Sequence, residues 1–182
     1  MNLKEQLGEA VKGFSTEIKV EFKPRLPEAL ITAFNSQIQK ELYSANLYKA
    51  MSSYLNDKGY VYASHVFFKY GEEEMSHMDK IIKYLYDRNC KVIIPACNKP
   101  PDNFTGIKEV ITKSLEHEML VTSNWEDIAK LSKELNDSTS LFFSNWFLNE
   151  QIEEEDKFRN LLYLIDLNIP DWELELRFKE SL

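Results

Sequence analysis

Four stretches of about 27 residues each repeat their apolar residues with the 3.6-residue period of a helix, and this limits the possible folds more than any other feature. Pro27 is placed to open the first, which runs to about Asn56 and carries Phe34, Ile38, Ala45, Tyr48 and Leu55 on one stripe. The second runs from about Tyr60 to Arg88, with Phe67, Tyr70, Ile81 and Leu85. The third starts near Ile107 and ends near Leu135, with Ile111, Leu115, Val121, Trp125 and Ile128. The fourth spans about Thr139 to Asp166, with Phe147, Phe158, Leu162 and Ile165, and Asp137 stands where it can cap it. Pro170-Asp171 begins a last helix of about 10 residues. With only 5 glycines in 182 residues, little interrupts these runs.

The connections set the topology. Asp57-Lys58-Gly59 and Asn136-Asp137-Ser138 are short, so each joins antiparallel neighbours. Between the second and third helices lies NCKVIIPACNKPPDNFTG, with three prolines. Helices of this length span about 40 Å, and the connection is long enough to run beside them, so the second and third helices can be parallel. The expected fold is all-α: a four-helix bundle with one long crossover and a short fifth C-terminal helix, over residues 25–182. Residues 1–24 stand apart. Leu3, Leu7, Val11, Phe14 and Ile18 suggest an amphipathic helix interrupted by Gly8 and Gly13. Such a segment packs on its own subunit or a neighbour, or docks on another partner; its acidic residues argue against an organelle transit peptide.

Composition narrows the function. The chain is 43% hydrophobic and 13% aromatic, enough for one sizeable core. Its formal charge of −8, with no basic block, argues against nucleic acid and anionic membrane surfaces and suits a protein that attracts cations. No apolar run approaches the roughly 18 residues of a membrane span. No secretion signal is evident, so the two cysteines, Cys90 and Cys97, are read as reduced, structural and cytoplasmic, with a surface metal or redox role left open.

Each long stripe also carries one polar residue at its middle: Glu41, Glu74, Glu118 and Gln151. Glu41 and Glu74 are 33 residues apart, as are Glu118 and Gln151. A shift of 77 maps Glu41 onto Glu118, Glu74 onto Gln151 and His77 onto Glu154. Two hairpins packed pseudo-symmetrically therefore place these residues in one layer. Burying an ionised carboxylate costs several kcal/mol, and neighbouring carboxylates repel one another. No Lys or Arg on the stripes compensates; a multivalent cation would. Glu74 and His77, at i and i+3, can meet one ion. A carboxylate-rich set with one imidazole suits iron or manganese and is poor for structural zinc. Tyr48 lies two turns past Glu41 on the same face, as core or as an electron donor beside a redox metal. A second acidic set, Glu73, Glu150, Glu153 and Glu154, repeats the 77-residue registration. It is either a solvated helix face or a further cation site open to solvent.

The motifs ELYSANLY at 41–48, EEEMSHM at 72–78, LEHE at 115–118 and LNEQIEEE at 148–155 resemble those of ferritins, nearest the bacterial non-haem type, over about residues 27–182. The resemblance implies a hollow homo-oligomeric shell of 24 subunits. Each subunit would oxidise Fe(II) with O2 or H2O2 at a buried di-iron centre, and the shell would store ferric mineral. It implies one iron on Glu41, Glu74 and His77, and a second bridged by Glu74 with Glu118 and Gln151 nearby. A looser third iron would lie at Glu73, Glu150, Glu153 and Glu154. Tyr48 matches the family's tyrosine beside the centre, and Trp146 a nearby tryptophan.

Two departures bear on function. Bacterioferritins carry a second Glu-x-x-His on the fourth helix, where this chain has Gln151-x-x-Glu154. The second iron is therefore expected to bind more weakly and pass onward more readily. The same departure argues against haem, although Met75 lies where bacterioferritins place a haem-ligating methionine. Leu141 and Ser144 stand where animal ferritins line a threefold channel with carboxylates. Two other readings are a non-storing di-iron oxidase or peroxidase of rubrerythrin type, and a catalytically inactive shell subunit. The first usually adds a cysteine-rich iron domain and more symmetric ligands.

Overall fold

The structure, a computed structural model, describes residues 23–180 and residue 182. The amphipathic segment expected from Leu3 to Ile18 lies outside the described residues. Those described form five helices and no strand: α1 (Glu28–Asp57), α2 (Val61–Asp87), α3 (Ile107–Glu134), α4 (Ser138–Asp166) and α5 (Asp171–Glu180). None of these helices is long and apolar enough to cross a membrane.

Local chemistry fixes the helix ends. Pro27 sits one residue outside α1, at its N-cap, where its carbonyl accepts from the N–H groups of Leu30 and Ile31 at 3.0 and 3.1 Å. Asp137 caps α4 by accepting from the Ser140 N–H at 2.8 Å. Asn89, Asn136 and Asn168 lie just past α2, α3 and α4 with φ of 53°, 55° and 56°, the left-handed conformation that ends a helix and that asparagine tolerates. Gly59, with φ of 86°, turns the chain from α1 into α2.

α1 packs along α2 and α3 along α4; the two hairpins meet through α1 and α3, and α5 folds onto α2. The core divides into two apolar clusters. One gathers Tyr54 and Leu55 from the end of α1, Ala63 and Phe67 from the start of α2, and Ile107 and Ile111 from the start of α3. The other gathers Leu30 and Phe34 from the start of α1, Leu85 from the end of α2, Trp125 from α3 and Phe147 from α4. α2 and α3 therefore run in the same direction, and the crossover carries the chain from Cys90 in the second cluster back to Phe104 in the first.

The crossover is held to α1 by side chains. The Asn35 amide donates to the Lys91 carbonyl at 3.0 Å and its oxygen accepts from the Ile93 N–H at 2.7 Å, while the Gln39 amide donates to the Ala96 carbonyl at 2.8 Å. Gly71 lets α2 approach α1 closely, since a Cβ there would lie 2.9 Å from the Ala45 carbonyl oxygen. α5 supplies what α2 lacks. α2 has no side-chain cap of its own, and the Glu175 carboxylate accepts from the N–H groups of Tyr62 and Ala63 at 2.9 and 3.0 Å.

Candidate metal centre

Between the two apolar clusters lies a polar layer. Glu41 comes from α1, Glu74 and His77 from α2, Glu118 from α3 and Gln151 from α4. Each is buried; His77, at 8% exposure, is the most accessible of the five. Glu41, Glu74 and His77 each present one ligand atom, all within 4.8 Å of one another. His77 Nδ1 lies 3.6 Å from Glu74 Oε2.

The two sides of the layer differ in how they are satisfied. Glu118 accepts from the Tyr48 hydroxyl and, at 2.8 Å, from the Gln151 amide. Glu41 accepts at Oε1 from the Gln37 amide at 2.8 Å, but no donor group reaches its buried Oε2. Sequence reasoning missed Gln37. It is fully buried one turn before Glu41, and that i, i+4 spacing was the available signal.

Electrostatics follow burial. Loss of solvent holds Glu41 well above the ordinary carboxylate range, and the Glu74 charge adds to this. Glu74 is raised by burial and then by the Glu118 charge. Burial raises Glu118 to about 7, against the pull of its bonds from Tyr48 and Gln151. Burial and the Glu118 charge push the Tyr48 hydroxyl far upward, so it stays protonated and remains a donor.

Without a cation, the arrangement is held by protons on carboxylates that water would ionise. A cation removes the repulsion and occupies the undonated oxygen of Glu41. Hard oxygen donors with one imidazole fit iron or manganese, and ligand atoms around one such ion sit roughly 3–4 Å apart, near the observed spread. The residues present therefore fit a metal ion.

The outer acidic residues converge as well. Glu73, Glu150, Glu153 and Glu154 line a cleft of about 430 Å³ whose inner wall includes His77. Two lysines share it, which the apolar stripes did not reveal. Lys157 Nζ lies 2.7 Å from Glu154 Oε2 and 4.1 Å from the centre of the Tyr70 ring. Lys80 Nζ lies 3.0 Å from the centre of the Trp146 ring, and burial lowers its pKa. Glu155 turns away from the cleft, accepting from the Thr122 hydroxyl at 2.7 Å and from Arg159.

His117, beside Glu118 in sequence, was also missed. The Ser44 hydroxyl donates to the Lys40 carbonyl at 3.0 Å, so the His117 Nε2 that lies 2.7 Å from it is the donor. Burial lowers this imidazole to about 4, and it is neutral. His117 and Cys97 line another cleft, of about 390 Å³, between α1, α3 and the crossover, which none of the layer's carboxylates lines. Both Cys90 and Cys97 are free thiols.

Comparison with known proteins agrees with this geometry. The sequence model of the ferritin-like domain matches residues 31–168. The chain is 33% identical over 137 residues to a probable bacterial non-heme ferritin-like protein of Haemophilus influenzae, covering 75% of this chain and 83% of that one. It is 32% identical over 133 residues to the bacterial non-heme ferritin of Staphylococcus aureus, covering 73% and 80%. The open pore ferritin of Archaeoglobus fulgidus superposes with a TM-score of 0.80 at 26% identity, over 85% of this chain and 99% of that one. A humanized archaeal ferritin gives 0.81 at the same identity, covering 85% and 96%. Two hairpins that close a buried layer of carboxylates, found together with these relatives, place this chain in the ferritin family.

Proposed function

We propose that the protein is a cytoplasmic iron-storage ferritin whose subunit oxidises Fe(II). The observation that carries this reading is the buried Glu41–Glu74–His77 set, with one Glu41 oxygen that no protein donor reaches. Fe(II) is the substrate. One ion takes Glu41, Glu74 and His77; a second is held between Glu74 and Glu118, with Gln151 beside it. Each Fe(II) gives up one electron, so the pair reduces O2 with two protons to H2O2, or reduces H2O2 with two protons to two waters. Binding displaces the protons held on Glu41 and Glu74, and the carboxylates then stabilise the added charge of Fe(III).

Tyr48 and Gln151 fix the Glu118 carboxylate, and Tyr48 stands where it can donate an electron. Glu73, Glu150, Glu153 and Glu154 hold a third ion in passage. Ferric product collects inside a shell of 24 subunits. No haem is required.

The test is aerobic Fe(II) oxidation, followed by ferric absorbance, in the wild type and in Glu74→Ala. Glu74 bridges both ions in this reading, so the initial rate should fall by at least about tenfold, as loss of ligand-shell residues does. Equal rates in a folded variant would remove the centre. Stoichiometric anaerobic Fe(II) binding, also lost in Glu74→Ala, separates this function from a catalytically inactive shell subunit.

A further inference from the structure

We infer that Lys157 is a tethered cation that occupies the outer acidic cleft until a metal ion displaces it, and so sets how weakly that cleft binds. The inference rests on the reading of Glu73, Glu150, Glu153 and Glu154 as a cation site. Two observations beyond their charge support that reading. His77 forms part of the cleft wall while its Nδ1 lies 3.6 Å from Glu74 Oε2, so the cleft abuts the buried trio directly. The cleft already holds an ammonium group on one of its carboxylates, with Lys157 Nζ 2.7 Å from Glu154 Oε2.

The geometry suits exchange. The Glu154 side chain is 17% exposed and that of Lys157 28%, so the pair is neither sealed nor freely solvated. The Lys157 ammonium also sits 4.1 Å from the Tyr70 ring centre, a second resting place that keeps it in the cleft when Glu154 is taken. The lysine is three residues past Glu154 on α4, so it moves by rotamer change without any backbone shift.

An arriving di- or trivalent ion must break the Lys157–Glu154 pair and then sit beside the displaced positive charge. Both effects weaken binding at the outer cleft. Lys157 bonds to none of the buried trio, but its charge reaches Glu74 and favours the ionised carboxylate there, a coupling that replacing Glu74 removes. The consequence is a vestibule that concentrates cations next to His77 without trapping them.

Terbium(III) luminescence, sensitised through Trp146 and Tyr70, reads this directly on the assembled full-length protein. A Glu74→Ala background disables the buried centre, so the signal reports the cleft whether or not the centre oxidises iron. In that background Lys157→Gln should bind terbium about tenfold more tightly, as expected for removing one screened positive charge from a partly exposed site. Lys157→Arg should bind like the parent, and adding Glu154→Gln should abolish the gain. Unchanged or weaker binding in Lys157→Gln would overturn the inference, as would a gain that survives Glu154→Gln. Lys157→Met, which keeps the aliphatic stem on Tyr70, serves if the glutamine variant does not fold.

Discussion

Glu118 carries the pH behaviour of the layer. Its pKa in the folded protein is about 7, above the ordinary 4.5, because burial penalises the charged form more than two donors favour it. The folded state therefore holds a proton that the unfolded state releases between these values. Stability falls as pH rises through that window, by about 3 kcal/mol from this residue alone. Glu41 and Glu74 are displaced in the same direction and add to the fall. Urea unfolding of chelator-treated protein should show a midpoint lower at pH 8 than at pH 5, and a bound redox-silent cation should flatten or reverse the trend by replacing the protons. A metal-free protein that grew more stable over this range would contradict the assignment. Tyr48→Phe sharpens the test. It preserves the stacked contact with Phe158 but removes the hydroxyl bond to Glu118. The loss should be about 2 kcal/mol at pH 8, where the bond is to a charged group, and smaller at pH 5.

At the scale of elements, the ends of the helices carry as much information as their faces. Asp137 caps α4, and its Oδ2 lies 3.7 Å from Arg88 at the end of α2, so one carboxylate joins the two hairpins. Asp137→Ala should cost about 1–2 kcal/mol for a lost cap, measured by urea unfolding. Asp137→Asn, which keeps the cap and drops the ion pair, should recover most of it.

The faces were legible in the sequence because each stripe obeys one period. Phe34, Ile38, Glu41, Ala45, Tyr48 and Leu55 are all buried on α1. The polar layer was legible because a charged residue inside such a stripe breaks the pattern at a known height. What the stripes could not supply were partners reaching in from the flanks. Lys80 and Lys157 lie on the margins of their helices and bend into the cleft. Gln37 is a core-facing polar residue that carries no charge to mark it. Glu175 caps α2 from a different helix, a contact between residues 113 apart that no local pattern encodes.

Several large apolar side chains stand exposed on the described surface. Phe142 is 80% exposed, Ile152 68%, Trp172 65% and Ile94 64%, spread over α4, α5 and the crossover. Scattered exposed apolar residues are ordinary in a monomer, but α5 presents them on one side and is anchored on the other. Leu174 and Phe178 are each 2% exposed in the core, whereas Trp172 and Leu176 face outward. A shell of 24 chains of 21.4 kDa would have a mass of about half a megadalton, and light scattering distinguishes this from the dimer expected of a non-storing di-iron enzyme. Deleting residues 170–182 should prevent closure, yet it also strips Leu174 and Phe178 from the core and removes the Glu175 cap on α2. The cleaner variant is Trp172→Ser with Leu176→Ser, which spares the anchors and the cap. Its thermal unfolding should stay close to that of unassembled wild-type chains, because surface substitutions of this kind change stability by only about 0.5 kcal/mol. Its mass should fall from shell to small oligomer. Intact shells from the double variant would show that the outward face of α5 takes no part in closure, and any failure of the deletion to assemble would then be assigned to its damaged core.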